Sequence, residues 1–131
     1  MATRSDVRTI ALSLPETREE HGHFAFGVRR GEKYKGFCWV WMERVQPKKP
    51  RVANPDVLAV RVANLDAKEI LLLAGPDKFF NEPHYEGFPA VLVRLKAIGR
   101  AELRALLSDA WATQAPKALL RSFRDKPEKT A

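Results

Sequence analysis

Apolar residues recur along this chain with two periods, and the switches between them outline the fold. Val7, Ile10, Ala11 and Leu14 fall at i, i+3, i+4 and i+7, the spacing of one helix face, with Ser5 as the expected N-cap and Pro15 ending the run. Phe24, Phe26 and Val28 then alternate with Ala25, Gly27 and Arg29, the period of a strand buried on one face, and Gly31 marks the turn out of it. Phe37 to Met42 is apolar on both faces. That predicts a central strand with helices against one side and a loop or partner over the other. Leu58, Val60 and Val62 resume the alternation after a connection holding Pro47, Pro50 and Pro55, which cannot be ordinary strand throughout.

The second half returns to helix and then strand, with no internal repeat. Asp66 followed by Glu69 reads as a helix cap with its acidic partner three residues on, Ile70 to Leu73 as the helix, and Gly75-Pro76 as its stop. Phe79 and Phe80 start a short strand, a turn at Tyr85 to Pro89 reverses the chain, and Val91, Val93 and Leu95 form the returning strand. Gly87 stands where a turn often requires positive φ. Leu103, Leu106, Leu107, Ala110 and Trp111 share a helical face that Leu119, Leu120 and Phe123 continue, with Pro116 either kinking the helix or starting a second segment. The order α-β-β-β-α-β-β-α predicts an α+β fold, a two-layer sandwich with an antiparallel sheet and helices on one face. The 131 residues are expected to form one domain with a core over about residues 5–124 and a frayed polar tail from Lys126.

The most specific stretch is Asn81 to Leu95, NEPHYEGFPAVLVRL, in which a turn-rich element runs straight into an apolar strand. Together with Asp109-Ala110-Trp111 and Ala115-Pro116-Lys117, it resembles the signature of the MmcQ/YjbR family, small bacterial proteins, over about Ile10 to Phe123. The resemblance implies the same α+β sandwich and the DNA-binding role attached to the family's double-wing description. Within the motif, His84, Tyr85, Gly87, Phe88 and Pro89 read first as turn architecture and second as a recognition edge displaying an imidazole and a phenol.

Composition narrows the chemistry. With 45% hydrophobic residues the chain can build one continuous core, yet no run approaches the roughly 20 apolar residues of a membrane span. The first residues lack a secretory segment, so the cytoplasm is the expected location. One cysteine excludes an intramolecular disulfide and a multi-cysteine zinc site; Cys38, between Phe37 and Trp39, reads as a buried hydrophobe rather than a nucleophile. Glu19-Glu20-His21-Gly22-His23 holds metal-capable groups without a predictable third ligand and reads as a solvated loop. With no Gly-rich phosphate loop and no G-x-S-x-G elbow, no catalytic residue, metal or cofactor is assigned, and a non-enzymatic role is expected.

Charge supplies the remaining signal. The net charge is +7, and residues 1–64 carry 12 Lys and Arg against 7 Asp and Glu, while residues 65–131 carry 11 against 9. The N-terminal excess concentrates in two turn-like segments, Arg29, Arg30, Lys33 and Lys35 in one and Arg44, Lys48, Lys49 and Arg51 in the other. As two wings they could straddle a phosphate backbone, with Tyr34 available for stacking. The leading expectation is therefore nucleic acid, with DNA ahead of RNA and weak sequence specificity, since no helix concentrates Arg, Asn or Gln as a recognition helix would. The alternative is a protein-partner or small-ligand module using aromatics near Trp39, Trp41, His84 and Tyr85. A monomer is the expected state.

Overall fold

Residues 1–20, 23–44 and 47–125 are described by a computed structural model. The chain begins with helix α1 (Arg4–Ser13), followed by strands β1 (Thr17–Glu19), β2 (Ala25–Arg30), β3 (Lys33–Glu43) and β4 (Val52–Arg61). Helix α2 (Leu65–Ala74), strands β5 (Phe79–Phe80) and β6 (Ala90–Arg94), and helices α3 (Arg100–Gln114) and α4 (Lys117–Asp125) complete it, with 3-10 turns at Pro83–Tyr85 and Leu95–Ala97. The strands described form an antiparallel sheet in the order β1-β2-β3-β4-β6-β5. This is the expected α+β architecture with two changes. Polar β1 joins the edge of the sheet, and Pro116 separates α3 from α4 rather than kinking one helix. The polar tail expected from Lys126 lies outside the described residues.

Both expected helix caps move by two residues toward the N-terminus. Thr3, not Ser5, caps α1: its hydroxyl accepts from the Asp6 N–H at 3.1 Å while its own N–H donates to the Asp6 carboxylate at 3.0 Å. This reciprocal box needs an acid three residues on, and Ser5 has Arg8 there. Asn64, not Asp66, caps α2 by accepting from the Ala67 N–H at 2.8 Å, which leaves Asp66 in the first turn beside the positive end of the helix dipole.

Two bulges shape the central strands. Phe26 pairs with Cys38 and Gly27 with Gly36, so Phe37 is extra, and both Phe37 and Cys38 are buried in one core. Val40 pairs with Leu58 and Trp41 with Asn54, so Pro55 occupies the bulged segment of β4. The strand thus runs through a proline that the sequence reading assigned to an irregular connection, because at the bulge no ladder N–H is demanded of it.

The two faces of the sheet carry separate cores. On one, Phe26, Val28, Cys38, Leu58, Val60, Val91 and Val93 meet Val7, Ile10 and Ala11 of α1 and Leu103, Leu107 and Trp111 of α3. Trp111 is completely buried, its indole N–H donates to the Pro15 carbonyl at 2.9 Å, and its ring lies 4.9 Å from that of Phe123. On the other face Val57, Ala59, Ala90 and Leu92 are roofed by Tyr85, with Trp39, Trp41, Phe80 and Phe88 packed against them. The covering expected over the central strand is therefore the segment between β5 and β6. Of the apolar run in α2, Leu71 and Leu72 reach the larger core, but Ile70 and Leu73 point outward at 65% and 76% exposure.

Candidate nucleic-acid interface

The two basic segments sit at opposite ends of β3. Arg30-Gly31-Glu32-Lys33 turns β2 into β3, with Gly31 at φ +67°, and the β3–β4 connection leaves from Glu43. Ten rises of about 3.3 Å along the eleven residues of strand set the two ends about 33 Å apart, so the segments are not neighbours but terminals of one rod. Val45 and Gln46 of the second segment lie outside the described residues.

Arginine and lysine divide the work within these segments. Arg29 Nε donates to the Gly31 carbonyl at 3.2 Å, and Arg30 Nη1 to the Gln114 carbonyl at 3.2 Å, tying the hairpin to the C-terminal end of α3. Arg44 Nη1 donates to the carbonyls of Pro47 and Lys49 at 3.2 and 3.0 Å, and Arg51 Nη1 to that of Met42 at 3.1 Å. Lys33, Lys35, Lys48 and Lys49 are exposed and make no side-chain hydrogen bond or ion pair among the described residues. The guanidinium fork holds several donors in fixed geometry and so braces loop backbone, while the flexible ammonium groups remain in solvent. Tyr34, singled out as a stacking residue, is half-buried beneath the Arg18 guanidinium, 3.8 Å from its ring centroid. Arg18 was not legible as part of this surface; its cross-strand place beside Gly27 on β1 brings it there. Arg100, on the mildly basic face of α3, is paired with Asp6 at 3.6 Å.

The His84–Pro89 motif is architecture around one exposed group. Tyr85 is only 8% exposed, and its hydroxyl accepts from Trp39 Nε1 at 3.1 Å, so the expected exposed pair reduces to His84, whose ring packs edge-on against Tyr85 at 5.5 Å. A phenol with a large ring is more stable under the segment, satisfied by the indole, than in solvent. Gly87 has φ +75°, as the turn requires, and nothing lies within 4 Å of where a Cβ would stand. Lys68 was missed: in an amphipathic helix a lysine reads as solvent-facing, yet this one is 4% exposed and its Nζ donates to the carbonyls of Tyr85 at 2.6 Å and Phe88 at 2.9 Å. Burial pushes its pKa down, and nearby Glu86 opposes the shift.

The tryptophans of β3 serve the second core. Trp39 packs on Phe88 and Trp41 on Phe80, with ring centroids 6.5 and 5.5 Å apart, and both indoles are half-buried. Burial raises the Cys38 thiol far above its ordinary pKa, leaving it as a core side chain. In the acidic segment before β2, the Glu19 carboxylate is taken by Arg8, with Nε and Nη2 donating at 2.8 and 3.0 Å, which holds its pKa below the usual value; His21 and Gly22 lie outside the described residues. No helix among the described residues is long and apolar enough to cross a membrane.

Comparisons with known proteins place this arrangement. A family model described as YjbR matches residues 12–113. The uncharacterized proteins Mb2600 of Mycobacterium bovis and Rv2570 of Mycobacterium tuberculosis are each 37% identical to the chain over 132 residues, covering 94% of it and 96% of their own length. Among solved structures, the Deinococcus radiodurans protein DR2400, with a DUF419 family-model domain, superimposes with a TM-score of 0.67 over 100% of this chain and 96% of its own, at 20% identity, a likeness of fold.

Proposed function

The chain belongs to the YjbR family, and on that premise we propose that it is a non-enzymatic nucleic-acid-binding protein that grips duplex DNA through phosphate contacts from the two ends of β3. The observation that carries this reading is the division of labour described above. Four lysines, Lys33, Lys35, Lys48 and Lys49, have no side-chain partner among the described residues and stand on segments whose backbone is braced by arginine. The ends of β3, about 33 Å apart by strand rise, are separated by close to one turn of B-DNA, so both ends could meet phosphates on the same side of a duplex. Such contacts release counterions and carry little sequence information, which agrees with the absence of a helix rich in base-reading side chains.

Duplex DNA, single-stranded DNA and polyglutamate titrated in parallel across a salt series test the reading. Duplex should bind more tightly than either of the others at every salt concentration. A response to polyglutamate equal to that for duplex would reduce the interaction to unselective attraction between a basic protein and any polyanion.

A further inference from the structure

Asp66, Glu69, Ile70 and Leu73 fall at i, i+3, i+4 and i+7 along α2, so they share one side of the helix, and all four are exposed. Ile70 also lines a cleft of about 470 Å³ between α2 and α3, with Ala67 and Leu71 beside it and Leu106, Asp109 and Ala112 on the α3 wall. The outer face of α2 and the cleft thus form one apolar surface. Contiguous exposed apolar surface rimmed by polar residues marks interaction sites. Its charge is the reverse of the chain's +7, for Asp66, Glu69 and Asp109 flank it and none of the three is in an ion pair among the described residues. Basic side chains of the surrounding elements point elsewhere. Lys68 donates to the loop carbonyls, the Arg61 guanidinium lies against Phe88 on the other face of the sheet, and Lys78 is bonded to Glu102. On α3, Arg100 pairs with Asp6, and Arg104 stands about 200° round the helix from Leu106.

We propose that this surface docks a basic amphipathic helix of a partner protein, its aliphatic side chains lying over Ile70 and Leu73 and into the cleft, and its lysines or arginines meeting Asp66, Glu69 and Asp109. The ten residues of α2 span about 15 Å, enough to seat about three turns of a helix laid along it. Apolar anchors at helical spacing supply the affinity in such a groove, while the opposite charges steer the approach and fix its orientation. A second copy of this chain fits less well. A two-fold contact would set the face against itself and bring Asp66 and Glu69 toward their own counterparts, where like charges repel. The same carboxylates repel phosphates, so this site is independent of the nucleic-acid reading.

Titration of the full chain with the amphipathic peptide acetyl-LKKLLKLLKKLLKL-amide, followed by backbone amide chemical shifts, tests the proposal, the control being the same peptide with glutamate at every lysine. The lysine peptide should move the amides of Ala67, Ile70, Leu71, Leu106 and Asp109, and the glutamate peptide should leave them in place. Ile70→Ser together with Leu73→Ser, both at exposed positions, should weaken the lysine peptide on the order of tenfold or more through lost apolar burial. Glu69→Lys together with Asp109→Lys should weaken it about tenfold, with the circular dichroism of the wild type. Unchanged affinity in either folded variant, equal shifts at this surface from both peptides, or shifts confined to other surfaces would each overturn the proposal. So would self-association of the chain that the Ile70 and Leu73 changes abolish, because a second copy would then be the occupant.

Discussion

One face of the sheet is closed by helices and the other by a loop, and the two closures are built from different interactions. Under α1 and α3 the core is larger and mainly aliphatic, with Phe26, Phe37 and Trp111 set among the branched side chains and the Trp111 indole donating to the Pro15 carbonyl. Under the Asn81–Pro89 segment the core is smaller, aromatic, and fastened by polar groups: Trp39 to Tyr85, and Lys68 to two carbonyls of the loop. Burial of apolar area scales with the surface covered, so the helical face should carry most of the fold's stability, while the loop face is held by a few directional bonds that can be broken one at a time.

The sharpest way to break the comparison is to empty each core in turn. Trp111→Ala should destabilise the protein by about 3–5 kcal/mol, the usual range for deleting a large buried aromatic, as read by denaturant unfolding. A loss below that of the loop-face variants would invert the assignment of the two faces. Lys68→Met leaves the Tyr85 and Phe88 carbonyls with only a backbone N–H each, from Phe88 and Ala90, and should cost about 1–3 kcal/mol, seen first as faster amide exchange in the loop rather than as a loss of global cooperativity.

The same lysine gives the contrast a pH signature. Because burial lowers its folded-state pKa below the ordinary 10.5, the folded protein releases this proton before the unfolded chain does. Stability should therefore rise, relative to Lys68→Met, as pH increases from the lowered value toward 10.5, the opposite of what an ion-paired lysine would give. A falling difference would show that the ammonium is stabilised where it lies. Smaller again, Gly87→Val should cost about 1–2 kcal/mol through backbone strain alone, since a β-branched residue is disfavoured at φ +75° although space for its side chain is open. An unchanged melting temperature there would mean that the turn relaxes.

The helical face was legible in the sequence because its signal is periodic. Val7, Ile10 and Ala11, and Leu103, Leu107 and Trp111, repeat at helical spacing and all are buried. The loop face was legible only in part. Phe37 to Met42 announced a strand apolar on both sides, and Gly87 announced its turn, but nothing local to Lys68 or Tyr85 shows that one side chain crosses beneath the loop and the other roofs an indole. Those are contacts over 17 and 46 residues of sequence, set by topology rather than by pattern. Strand β1 was hidden for a related reason, since Thr17, Arg18 and Glu19 have no apolar alternation and pair only because an edge needs no second buried face. Of the candidate interface, the position of the charge was readable and its partition was not. Arginine and lysine look alike in a charge count, and only the carbonyls within reach separate those that brace the loops from those left in solvent.

That partition is the central claim, and the salt dependence of duplex binding tests it most directly. Changing Lys33, Lys35, Lys48 and Lys49 together to Glu touches no internal hydrogen bond found among the described residues, so the fold should stay intact by circular dichroism. If each lysine neutralises one phosphate, the slope of log affinity against log salt should flatten by about 3.6, at about 0.9 per contact, and affinity at low salt should fall steeply. A folded variant that binds duplex DNA with the wild-type affinity and slope would contradict the account.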